Sequence, residues 1–178
     1  IYFTATDNKL RFLNTNSFQI DYTRQDEIGY THYGILTVSK SGNLLANDVG
    51  LNELRIFNPH NKETILSIPV QTGLINSMVF SPDEKYLAVN FGPGKVIHVY
   101  DIQSGKSVYQ YTTVPSGYAL VGLGISPDQK YVVSSSGYIF MYKFLPTTGV
   151  EDNPKKKEDT IYPNPTNGNF SIQFDLPK

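Results

Sequence analysis

The sequence predicts an all-β chain built from a four-stranded unit repeated along its length, and three observations carry that prediction. Short segments rich in Val, Ile, Tyr and Phe alternate with turn formers such as Asp7-Asn8, Pro82-Asp83 and Ser104-Gly105 over residues 1–146. A marker, Phe80-Ser81-Pro82-Asp83-Glu84-Lys85-Tyr86-Leu87, returns as Ile125-Ser126-Pro127-Asp128-Gln129-Lys130-Tyr131-Val132 with its serine displaced by 45 residues. A weaker copy, Val38-Ser39-Lys40-Ser41-Gly42, places Ser39 42 residues before Ser81. A second marker keeps the same phase: segments 10–14, 54–58, 97–101 and 139–143 end 44, 43 and 42 residues apart. One period shared by two markers, with four short strands inside it, is what a β-propeller blade requires.

With strands a to d running outward from the central channel, the first blade is incomplete: b at 1–6, c at 9–14 and d at 17–23. The second has a at 34–39, b at 43–48, c at 53–58 and d at 64–69. The third has a at 76–81, b at 85–91, c at 95–101 and d at 107–112, and the fourth supplies only a at 119–126, b at 130–135 and c at 138–144. Val96-Ile97-His98-Val99-Tyr100 is apolar on both faces, as a sheet sandwiched between two neighbours needs. A ring closes with about four to eight blades, and residues 1–146 supply between three and four. The sequence therefore predicts further blades before Ile1, where no initiator methionine stands, and an upstream strand to complete the last blade.

Charge and composition exclude several functions. Fifteen basic against sixteen acidic residues leave a formal net charge of −1, which gives nucleic acid nothing to bind. The run Lys155-Lys156-Lys157 is flanked by Glu151, Asp152, Glu158 and Asp159, so its field cancels locally. No cysteine is present, which removes disulfides, thiolate metal sites and a cysteine nucleophile. No stretch approaches the ~20 apolar residues of a membrane span, and no secretory leader opens the sequence. Gly92-Pro93-Gly94-Lys95 lacks the Gly-Lys-Ser/Thr end and the helix of a phosphate loop, so it reads as a b–c connection. No cofactor and no metal are expected.

At its Ser-Pro-Asp-x-Lys-Tyr turn and at Val99-Tyr100-Asp101-Ile102-Gln103-Ser104-Gly105-Lys106, the repeat resembles the WD40-like and YVTN-type β-propeller families over residues 1–146. Only Asp101 matches that family's aspartate at the end of strand c. Asn14, Asn58 and Lys143 depart from it, and the usual tryptophan is absent, which argues against the hydrogen-bonded WD40 subtype. From Pro146 the composition changes, and residues 147–159 form a polar linker. Beyond it come Tyr162-Pro163-Asn164-Pro165, Gly168 and a strictly alternating strand with Phe170, Ile172, Phe174 and Leu176 on one face. This tail resembles the start of the type A C-terminal sorting domain of the Bacteroidota type IX secretion system, so 160–178 is expected to open a truncated β-sandwich. The resemblance implies a partner, the type IX secretion machinery, and a location, extracellular or on the outer-membrane surface after passage through the periplasm. It also makes Thr160, in Asp159-Thr160-Ile161, an acceptor for Bacteroidota-type O-glycosylation.

No catalytic constellation stands out. His32, His60 and His98 are scattered without ligand spacing, and Asp83 and Asp128 sit in repeated Pro-Asp turns where a backbone hydrogen bond accounts for them. The variable d–a and b–c loops on the rigid frame are the expected ligand surface, with Tyr30, His32 and Tyr33 in the long 21–33 insert joined by Asn47, Asp48 and Asn90. A glycan or a protein is the ligand that this mixture of aromatic and polar groups suits. The sequence thus reads as a secreted or cell-surface binding, adhesion or scaffold module without catalysis. The competing reading is a lactonase- or hydrolase-type propeller enzyme, whose acidic and histidine residues would converge on the central channel, and strand a supplies none.

Overall fold

The computed structural model describes residues 1–4, 9–24, 35–49, 53–70, 75–92, 96–112, 122–135 and 139–144. These carry fourteen strands and, among the described residues, no helix. The first group is β1 (Tyr2–Thr4), β2 (Leu10–Leu13) and β3 (Ile20–Arg24), and the second is β4 (Leu36–Val38), β5 (Leu45–Val49), β6 (Glu53–Phe57) and β7 (Thr64–Pro69). The third is β8 (Ile75–Phe80), β9 (Tyr86–Phe91), β10 (Val96–Asp101) and β11 (Ser107–Thr112), followed by β12 (Gly122–Ile125), β13 (Tyr131–Ser135) and β14 (Ile139–Lys143). They pair antiparallel, each with its neighbour in sequence, as sheets of three, four, four and three strands. The chain is all-β, a partial β-propeller of four consecutive blades, and each strand expected from the repeat is present. The linker at 147–159 and the sandwich expected at 160–178 lie outside the described residues.

Alternation of side chains along a strand divides each middle strand between two neighbouring blades. In β9, Leu87, Val89 and Phe91 join Ala46, Leu54, Ile56 and Ile68 of the second blade, while Ala88 joins Val132, Phe140 and Phe144 of the fourth. In β5 and β6, Leu45 and Phe57 close instead on Leu10 and Phe12 of the first blade. The core is therefore three layers between sheets, and this is the physical reason for strands that are apolar on both faces. Each fully buried Leu, Ile or Phe contributes about 1.5–3 kcal/mol, so the blades stabilise one another. The outer strand β11 alternates exposed and half-buried residues because one side of it meets water.

Turns recur with the same hydrogen bonds. In the a–b turn of the third blade, Ser81 Oγ donates to Asp83 Oδ1 at 2.6 Å and accepts from the Tyr86 N–H at 2.9 Å, while the Lys85 N–H donates to Asp83 at 3.2 Å. The fourth blade repeats this with Ser126, Asp128, Tyr131 and Lys130 at 2.6, 3.0 and 3.1 Å. In the second blade Ser39 Oγ accepts from the Leu44 N–H at 3.1 Å, and Ser41 stands where the aspartates stand elsewhere. The c–d turns follow a second pattern. Asn14, Asn58 and Asp101 each accept a backbone N–H on a side-chain oxygen, from Asn16 at 2.9 Å, His60 at 2.8 Å and Ser104 at 2.7 Å. The asparagines that depart from the aspartate motif thus do the same work, because the turn needs an oxygen acceptor and not a charge.

Candidate functional site

The loop end expected to bind a ligand is described in part. Tyr30, His32 and Tyr33 lie outside the described residues, as do Thr160, Tyr162, Pro163, Asn164, Pro165 and Gly168. Asn47 and Asp48 are on β5 and Asn90 is on β9, with exposures of 1, 1 and 0%. Two of them bond to the backbone there: Asp48 Oδ1 accepts the Ile35 N–H at 3.0 Å, and Asn47 Nδ2 donates to the Asp48 carbonyl at 3.2 Å. Burial between blades, and not display on a loop, is what the structure gives these three. Of the scattered histidines, His98 is half-buried on β10, stacked on Tyr100 and 3.1 Å from Ser107 Oγ, and burial holds its pKa below the usual value. His60 lies in an exposed c–d turn. Among the described residues no three His, Cys, Asp or Glu side chains gather to hold a metal.

The opposite end, built by the a–b and c–d turns, is where charged side chains meet across blades. Ser41 donates to Glu84 twice, from its backbone N–H at 2.6 Å and from its hydroxyl at 2.8 Å. Gln129 directs its amide nitrogen at Asp83, donating to the two carboxylate oxygens at 2.8 and 3.1 Å; the reverse orientation would set oxygen against oxygen. Counted from the serine that opens each a–b turn, the fourth residues of the third and fourth blades, Glu84 and Gln129, bond to the third residue of the blade before. Partial burial raises the Glu84 pKa, but the Ser41 and Ser39 hydrogen bonds and the Lys40 charge outweigh it and leave the carboxylate below its usual 4.5. The Asp128 carboxyl is lowered by its bonds to Ser126 and the Lys130 N–H. Sequence alignment of the repeat put these third and fourth positions in register, yet their pairing depends on the spacing between blades.

At the inner edge of that end, three successive a strands frame a groove of about 340 Å³. Val38, Val79, Phe80 and Ile125 with Pro82 and Pro127 make it apolar, and Lys40 supplies a cation at its rim. Such a groove suits an apolar side chain flanked by a carboxylate. Farther out, Tyr109, Tyr111 and Tyr142 stack between the third and fourth blades. Burial pushes Tyr142 up to about 12 and Tyr100, between the second and third blades, to about 12, and raises Tyr111 as well. They stay neutral packing groups and are not acids or bases at neutral pH.

No family model matches the chain. It is similar to autophagy-related protein 18 of Komagataella pastoris, 27% identical over 96 residues, which is 53% of this chain and 18% of that protein. The protein of the same name from Debaryomyces hansenii is 24% identical over 128 residues, 71% of this chain and 22% of that one. The one from Saccharomyces cerevisiae is 26% identical over 109 residues, 60% of this chain and 21% of that one. The chain spans roughly a fifth of the length of these relatives.

These findings overturn the family and secretion readings. The relatives are yeast autophagy-related proteins, and no WD40-like, YVTN-type or sorting-domain model matches; of the propeller resemblance, the fold stands. The Bacteroidota sorting domain, the type IX secretion machinery as partner and the extracellular or outer-membrane location are corrected accordingly. So are the secreted adhesion module and the lactonase- or hydrolase-type enzyme set against it. The physical reason is that a Tyr-Pro-Asn-Pro turn before an alternating strand is a general way to enter a half-buried strand.

Proposed function

We propose that the chain is the blade segment of a propeller scaffold serving an autophagy-related process, one that gathers partner molecules on the blade ends without transforming them. The observation that carries the reading is the likeness to autophagy-related protein 18, which extends over 71% of the chain in Debaryomyces hansenii. The geometry is in keeping with it. The Asp83 and Glu84 carboxylates at the turn end are spent on holding blades together, while the groove beside Lys40 offers apolar surface and one cation to a peptide segment. Disrupting the gene in its own host and following starvation-induced turnover of a bulk cytosolic reporter tests the proposal. Turnover should slow and recover when the intact gene is returned; unchanged turnover overturns the reading.

A further inference from the structure

The groove at the inner edge of the turn end is built from two repeated places, and one of the six residues there breaks the pattern. Before each marker serine stands an apolar residue, Val38, Phe80 or Ile125, and after it stands Lys40, Pro82 or Pro127; all six line the groove, joined by Val79. Phe80 is 6% exposed while Val38 is 40% exposed, so the apolar wall opens to solvent on the side of the second blade. The change in that blade is concerted. In the third and fourth blades the turn lysine is fifth, at Lys85 and Lys130, and its ammonium lies 3.7 and 3.5 Å from the aspartate that is third in its own turn. In the second blade the fifth place is Asn43, the third is Ser41, and the lysine stands second, at the groove. Lys40 therefore has no acid in its own turn, and its ammonium forms no ion pair with a described residue; it acts on Glu84 only through space. Glu84 gives both carboxylate oxygens to Ser41, Asp83 accepts from Gln129, and neither acid lines the groove.

We infer that this groove takes an extended segment of a partner protein in which an apolar side chain stands next to an acidic one. The apolar side chain lies against Val38, Val79 and Ile125, and the carboxylate meets the Lys40 ammonium. This rests on the scaffold reading above, whose partner it specifies. Size fits a segment: about 340 Å³ is at the lower end of the ~300–1,000 Å³ of small-ligand sites, room for one large side chain and its neighbour and not for a folded element. Charge decides the neighbour. A lining with one cation and no acid attracts a carboxylate and repels a lysine or arginine in the same place, so it selects by refusal as well as by attraction. Burial of the apolar side chain supplies most of the affinity, and Lys40, at the exposed rim, supplies the choice between segments and the speed of encounter.

The test titrates fluorescein-labelled Gly/Ser peptides carrying one central pair, Leu-Glu, Leu-Lys or Gly-Glu, against the full-length protein by fluorescence anisotropy. Leu-Glu should bind saturably, Leu-Lys about two- to fivefold more weakly, and Gly-Glu not measurably. Raising the salt concentration should narrow the gap between the first two. Lys40→Glu should reverse their order, Lys40→Gln should make them equal, and Lys85→Gln, outside the groove, should leave the order as it was. Val38→Asp, which puts a charge on the apolar wall, should weaken Leu-Glu binding at least about tenfold. If Lys40→Glu loosens the turn beside Glu84, Lys40→Gln and the salt series carry the same test. No saturable binding of the Leu-Glu peptide, or an order that the Lys40 substitutions leave in place, overturns the inference. So does self-association in sedimentation that Val38→Asp abolishes, which assigns the groove to a second copy. Peptide binding in the expected order with unchanged starvation-induced turnover refutes the autophagy reading and leaves the groove standing; slowed turnover without peptide binding does the reverse.

Discussion

Among the described residues, six carry the backbone into the left-handed region, and they occupy two repeated places. Gly42, Glu84 and Gln129 are the fourth residues of the a–b turns, with φ of 78, 61 and 59°. Phe18, Lys62 and Gly105 lie four residues after Asn14, Asn58 and Asp101 in the c–d turns, with φ of 54, 69 and 69°. Glycine adopts this conformation freely, and other residues lose about 1–2 kcal/mol there. Glu84 and Gln129 offset the strain by gripping the preceding blade, and Lys62 by lying 4.3 Å over the Phe12 ring. Phe18 is 75% exposed and gains little. Phe18→Gly should therefore raise stability by about 0.5–1 kcal/mol, the strain relieved less the added entropy of the unfolded chain. A higher urea midpoint at unchanged slope would show it, and a lower midpoint would refute it. Glu84 adds a pH dependence. Its folded pKa lies below 4.5, so in that window the unfolded chain binds more protons; the stabilisation is whole above 4.5 and lost as pH falls through the folded value. Glu84→Gln should flatten stability between about pH 5 and 3, by no more than about 1 kcal/mol for so exposed a pair. An unchanged pH profile would contradict the assignment.

At the scale of the element, the serine turn fixes where strand a stops and strand b begins. The hydroxyl of Ser81 donates to Asp83 while accepting from the Tyr86 N–H, so it ties three residues together. Ser81→Ala should cost about 1–2 kcal/mol. Ser39→Ala should cost less, because the Ser39 hydroxyl meets the Leu44 N–H at 3.1 Å and Ser41 at 3.4 Å, longer than the 2.9 and 2.6 Å at Ser81. Urea unfolding of the two variants ranks them, and the reverse order would deny the turn its role. Between elements, Gln129→Glu would set two carboxylates against each other where Gln129 now donates to Asp83. Amide hydrogen exchange should then quicken in β12–β14 and stay unchanged in β4–β7, with recovery in acid as the carboxylates protonate. Uniform quickening in all blades would mean that the contact does not act between these two. One backbone difference follows from sequence alone: the Ile102 and Phe144 N–H groups donate to the Lys85 and Lys130 carbonyls, and Pro59, at the matching place, has no N–H to give.

For the molecule as a whole, stability is a sum of blade terms and interface terms, since each blade touches only its neighbours. Phe144 is fully buried, edge-on to Tyr86 at 5.2 Å and to Tyr109 at 5.3 Å, and so it pins the fourth blade to the third. Phe144→Ala should lose about 3–5 kcal/mol and free the fourth blade before the others, seen as two unfolding steps by hydrogen exchange. A single step at the original midpoint would exclude that role. The sequence by itself determined the class, the period and the fourteen strands, because alternation, turn chemistry and repeat spacing are local and survive in a linear string. It also located Ser81, Ser126 and the Pro-Asp turns. Only the tertiary structure decided what those positions do: Asn47, Asp48 and Asn90 proved to be buried between sheets, Asn14 and Asn58 equivalent to Asp101, and Glu84 and Gln129 bonded to blades about 45 residues away. Those outcomes depend on which face of a strand meets which neighbour and at what distance, and packing sets both.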